Sequence, residues 1–110
     1  MIHGVAVAAW RPSTINTIVV VDADPEPGAL VNLAITVTEA KALALAEAGV
    51  RAPDGGIVTG TSTDAVVIAA TGRGPRCRFG GPVSEVGWLA ARAAKSALDA
   101  GVARWVREHR

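Results

Sequence analysis

The chain has 110 residues and a formal net charge of +1 from 11 basic and 10 acidic side chains. It is long enough for one modest core and carries no charge excess that would draw it to nucleic acid or an acidic membrane surface. Half of the residues are hydrophobic but only 4% are aromatic, so the core must be built from Ala, Val, Leu and Ile, with little bulk per position. Cys77 is the single cysteine, which excludes an internal disulfide and suits a reducing, cytoplasmic setting.

In chain order, Met1-Ile2-His3-Gly4-Val5 has no cationic stretch ahead of its apolar residues and does not read as a signal peptide. Trp10 falls in what reads as an irregular segment. Ile15-Asn16-Thr17-Ile18-Val19-Val20-Val21 is rich in β-branched residues and predicts a strand, ending at Asp22 and a turn through Pro25, Pro27 and Gly28. A long helical pattern follows and stops at Gly49. At about 100° per residue, Leu30, Leu33, Val37, Ala40, Ala44 and Ala48 share one face, and Val31, Ala34, Ile35 and Leu45 cover a second. Asn32, Thr36, Glu39 and Glu47 make the polar stripe, interrupted by Leu43. A helix this apolar is expected to lie between layers or in an oligomer interface. No apolar run reads as long enough to span a bilayer, and no membrane association is expected.

Residues 50–57 read as a connection with a turn at Pro53-Asp54-Gly55-Gly56. The loop Thr59-Gly60-Thr61-Ser62-Thr63-Asp64 then leads into Ala65-Val66-Val67-Ile68-Ala69-Ala70, which reads as a buried strand. Its hydroxyls, a carboxylate and a glycine beside a strand end are more polar groups than a turn requires, although such residues also serve ordinary turns. A glycine-rich connection over residues 71–82 precedes a second helical pattern over about 83–106. There Val86, Leu89, Ala90, Ala93, Ala97, Ala100 and Trp105 gather on one side, opposite Arg92, Lys95 and Asp99. Trp88 lies near the boundary of that pattern, where an aromatic ring serves either packing or a planar ligand. Cys77, between Arg76 and Arg78, has the cationic neighbours that lower a thiol pKa but no histidine partner, since His3 and His109 lie near the two ends. The same scarcity speaks against a metal site. Arg104, Arg107 and Arg110 fall at the end of the last helix, where cations favour the negative pole of its dipole. The outline strand, helix, strand, helix predicts a single layered α/β domain, part of a larger or oligomeric α/β fold.

Several blocks together resemble a known family: Ile15-Asn16-Thr17-Ile18-Val19-Val20-Val21-Asp22, residues 27–30, Ile35-Thr36-Val37-Thr38-Glu39-Ala40-Lys41, and the loop from Thr59 through Asp64 into Val67. Their order and spacing, over roughly residues 15–97, are similar to the C-terminal half of adenosylcobinamide amidohydrolases, so residues 1–110 are expected to form one domain resembling that half. The resemblance implies hydrolysis of the amide that joins aminopropanol to the corrin ring system, giving adenosylcobyric acid in corrinoid salvage. It implies a small-molecule corrinoid as partner and no separate cofactor, the cobalt entering with the substrate.

Amide hydrolysis needs an attacking oxygen, a proton acceptor and donors for the tetrahedral oxyanion. Thr61 and Ser62 are candidates for a hydroxyl nucleophile or donors, with Asp64 or Glu39 as base. Thr59, Gly60, Thr63, Asn16 and Asp22 are candidates for substrate contact. Glu39 is either partly buried on its apolar helix, which would raise its pKa, or faces water. A non-catalytic half-domain that binds a corrinoid or a partner subunit is the alternative, and a homo-oligomer is expected in either case. Phosphate binding by residues 59–64 is disfavoured, because Asp64 would repel an anion and no Lys follows the glycine as in a P-loop.

Overall fold

The computed structural model describes residues 4–11 and 14–108, the first of these segments as backbone. His3, His109 and Arg110 lie outside the described residues. Three strands form the main sheet: β1 (Gly4–Arg11), β2 (Thr14–Val21) and β4 (Ala65–Ala70), in the order β1-β2-β4. β1 and β2 run antiparallel, with Gly4 opposite Val21 and Arg11 opposite Thr14. β2 and β4 are parallel, Asn16 opposite Ala65 and Val21 opposite Ala70. Parallel neighbours need a crossover, and helix α1 (Pro27–Glu47) supplies it. Helix α2 (Glu85–Glu108) returns over β1 and β2 and packs beside α1. The α/β reading therefore holds, with one more strand in the main sheet than the sequence suggested: Trp10 belongs to β1, paired with Ile15, and not to an irregular segment.

Strict alternation decides which face of β2 is covered. Ile15, Thr17, Val19 and Val21 are buried beneath the helices, and Asn16, Ile18 and Val20 point to the open face. The apolar run of β4 reads as a strand covered on both sides, yet β4 is an edge strand with helices on one face only. Val66 and Ile68 join the core and Val67 is 50% exposed.

Pro27 opens α1 at its first turn, where a missing N–H costs nothing. Gly49 closes it at φ +76°, with Gly49 N donating to Ala46 O and Val50 N to Leu45 O, a Schellman arrangement. Its buried residues include Leu33, Val37, Ala40, Ala44 and Leu45, as the spacing predicts, but also two from outside the expected stripes: Thr36 and Lys41. Val31 and Ile35, expected to form a second covered face, are exposed. By length and composition α1 is apolar enough to cross a membrane, with mean hydropathy 1.5 over its best window, so the expectation that no segment qualifies is corrected. Its polar residues are scattered along its length, which hides the helix from a search for an unbroken apolar run. In the fold, the buried side of α1 is seated on the sheet and α2.

Ser84 caps α2, its Oγ accepting from Gly87 N at 3.1 Å and donating to Gly81 O at 2.7 Å. The buried stripe of α2 is Val86, Ala90, Ala94, Leu98 and Val102, a spacing of four, whereas Ala100 is exposed. A two-residue parallel ladder, β3 (Asp24–Pro25) with β5 (Arg76–Cys77), ties the glycine-rich connection to the start of α1. Thr36 Oγ1 donates to Gly80 O at 2.8 Å, and Asn32 Oδ1 accepts from Gly80 N, so α1 also holds the approach to α2.

Candidate functional site

The sequence nominations separate into three places. The first is the end of the sheet where β2 and β4 begin. Asp64 Oδ1 accepts from Ile15 N at 2.8 Å, and Asp64 Oδ2 accepts from Thr61 N at 2.8 Å and from the Lys41 ammonium at 2.8 Å. The Thr61 hydroxyl makes a further short hydrogen bond to Asp64 Oδ1. The Lys41 and Asp64 side chains are only 9% and 11% exposed. Burial pushes the Asp64 carboxyl up, but the Lys41 ammonium, the Thr61 hydroxyl and the backbone N–H groups of Thr61 and Ile15 together outweigh it and hold the group at about 2. Gly60 closes this arrangement, since a Cβ there would run into Asp64 Oδ2 and Lys41 Nζ. Thr59, Ser62 and Thr63 are exposed around it, and Thr63 O accepts from Thr14 Oγ1 at 3.0 Å. Asn16 lies at the same end of the sheet, on the open face.

Four donors on one carboxylate define what this cluster does physically. Asp64 pins the loop to the first residues of β2 and to the middle of α1, and a carboxylate that acidic is a weak proton acceptor. In the sequence Lys41 stands out only as part of a block. The signal for it was its angular position: at about 100° per residue it falls between Val37 and Leu45, on the covered side of α1.

The second place is the opposite end of the same strands, about 20 Å away for a six-residue strand. Asp22 Oδ1 accepts from Thr71 Oγ1 at 2.7 Å and lies 3.9 Å from the Arg73 guanidinium. Arg76 pairs with Asp24 at 3.3 Å and Glu26 at 3.5 Å. These are exposed pairs of the kind that contribute little. Asp22 is therefore not brought to Asp64, Thr61 or Glu39. Nearby Cys77 departs from the lowered thiol its arginine neighbours suggested: burial pushes it up, and the charges of Glu85 and Asp24 add to that.

The third place is an open groove between α1 and α2, about 650 Å³ in volume, within the range of small-molecule sites. Glu39 stands on its wall. Of the two alternatives for this residue, the structure shows the one facing water: it is exposed and lies about 200° around α1 from Lys41. Leu43 and Ala40 from α1 and Trp88 and Ala91 from α2 give the groove an apolar lining. Arg92 lies over the Trp88 ring, 4.6 Å from its centroid. Lys95 is held between Asp99 at 2.8 Å and Glu47 at 3.1 Å, and these bonds raise its pKa. The side chains of Glu39 and Ser96 make no hydrogen bond or ion pair among the described residues. Arg92 makes none beyond its ring contact. Among the described residues no group of three His, Cys, Asp or Glu side chains is placed to hold a metal ion.

A profile of the adenosylcobinamide amidohydrolase (CbiZ) family matches residues 3–110. The chain belongs to this family. The match extends beyond the blocks recognised in the sequence and takes in β1 and the whole of α2. No curated protein and no solved structure matches the chain significantly. For a member of the adenosylcobinamide amidohydrolases, the groove and the Asp64 cluster differ in one chemical respect. The groove offers a carboxylate, a guanidinium and a hydroxyl with unspent hydrogen-bonding capacity next to open volume, whereas the Asp64 carboxylate is already supplied with donors.

Proposed function

We propose that this protein hydrolyses the amide linking aminopropanol to the corrin ring system of adenosylcobinamide, releasing adenosylcobyric acid and free aminopropanol in corrinoid salvage. The observation that carries this reading is the family match over essentially the whole chain. In the proposed mechanism, the substrate amide enters the groove between α1 and α2, and Glu39 accepts a proton from a water molecule as its oxygen attacks the amide carbon. Arg92 donates to the developing oxyanion from the same groove. Collapse breaks the carbon–nitrogen bond, the proton held by Glu39 passes to the departing amine, and a carboxylate remains on the ring system. The Thr61, Ser62 and Asp64 loop has a supporting task in this scheme, fixing α1 through Lys41 so that Glu39 is held at a constant height on the groove wall. Support for dividing the roles in this way comes from the free carboxylate at Glu39 and the acidic, fully engaged one at Asp64.

The test is incubation of the purified protein with adenosylcobinamide, followed by mass spectrometry. Both products are expected in equal amounts; an intact substrate in the presence of folded protein would overturn the reading.

A second reading concerns association. Val31 and Ile35 on α1 are 62% and 54% exposed, and Ile18 and Val67 lie bare on the open face of the sheet. Apolar surface exposed on both the helix side and the open sheet side favours association, and we propose a homo-oligomer, whether or not the chain is catalytic. Sedimentation equilibrium is expected to give at least a dimer, and a monomer at all concentrations would contradict it.

A further inference from the structure

We infer that Trp88 is the platform on which the ring system of the substrate rests, and that the α1/α2 groove recognises a flat, apolar ring fringed with amides. This rests on the amidohydrolase reading and extends it to a specific recognition residue. Trp88 is 51% exposed on the first half of α2 and lines the groove with Leu43, which is 53% exposed. An indole and a leucine left half bare beside an open volume lose apolar contact with water when a ring covers them. Arg92 at 4.6 Å from the indole centroid fixes the ring's orientation in advance, which lowers the ordering cost of binding.

The rim selects what covers that floor. Glu39 and Asp99 supply two carboxylates and Arg92 and Lys95 two cations, so the groove has no net charge to favour a phosphate or another anion. Ser96 adds a hydroxyl, and the rim carries both acceptors and donors. A primary amide is both donor and acceptor, so side arms ending in amides match this rim whichever way they turn. The openness of the groove suits a large ring that is gripped on one face and leaves its reacting arm near Glu39.

The test compares wild type, Trp88→Ala and Trp88→Phe, measuring adenosylcobinamide binding by equilibrium dialysis and turnover by product mass, with circular dichroism to verify the fold. The expected result is a Kd and KM raised about tenfold or more in Trp88→Ala, with most of the affinity restored in Trp88→Phe. A folded Trp88→Ala variant with wild-type Kd would overturn the inference while leaving the amidohydrolase reading standing. Wild-type protein that binds adenosylcobinamide without hydrolysing it would sink the hydrolase reading, and the Kd of Trp88→Ala would still decide the role of the indole. Wild-type protein that neither binds nor hydrolyses it would overturn both.

Discussion

Helix α1 carries two acid-bearing regions on opposite sides, and they have been finished differently. On the covered side, Lys41 meets Asp64 in a pair closed off by Gly60, Thr61 and the start of β2. On the outer side, Glu39 faces a groove with Arg92 and Trp88 across from it. The first region uses four donors on one carboxylate, and what it gains is a fixed geometry. The second leaves its polar groups open to a ligand. The contrast teaches that a polar cluster at a strand end is a poor guide to chemistry until its hydrogen bonds are counted.

The largest effect that would sharpen this comparison is on turnover: Glu39→Gln is expected to lower it by about 10²-fold or more with the melting temperature unchanged, measured by product formation and thermal unfolding. Next is stability. Asp64→Ala strands the Lys41 ammonium in a site that is nearly closed, and breaking such a pair is expected to cost about 3 kcal/mol in urea unfolding. A loss below about 1 kcal/mol would break the contrast, because it would mean that the cluster holds little together. A smaller effect appears in acid. The folded-state pKa of Asp64, about 2, lies below its ordinary value of 3.8, so its contribution is fully present above pH 3.8 and is lost as the pH falls toward 2. Asp64→Asn should therefore flatten the pH dependence of stability across that window, and a profile identical to wild type would show that the carboxylate is not the acid-sensitive group.

Much of the fold is legible in the residues. The β-branched run of residues 15–21 gives β2, Gly49 marks the end of α1, and the glycine-rich connection ahead of Ser84 gives the start of α2, whereas Pro27 and Gly28, read as part of a turn, already belong to α1. β1 escapes because its pairing with β2 is a tertiary event that an Ala- and Val-containing segment ending in Trp10 and Arg11 does not announce. The exposure of β4 escapes for a related reason: an apolar run looks the same whether helices cover one face of a sheet or both. Glu39 could be nominated from its helix, but its setting could not, since Leu43, Trp88, Arg92 and Ser96 converge only when α1 and α2 pack side by side. Thr36 reads as part of a polar stripe because its partner, the carbonyl of Gly80, is 44 residues away.

The most direct test of the account is single-turnover hydrolysis of adenosylcobinamide by Glu39→Gln and Asp64→Asn in parallel, with rates expressed per folded molecule. The account predicts that hydrolysis collapses in Glu39→Gln and stays within a few-fold of wild type in Asp64→Asn, whose defect should appear in stability. Undiminished hydrolysis by Glu39→Gln together with loss in folded Asp64→Asn would contradict it and place the chemistry at the other side of α1.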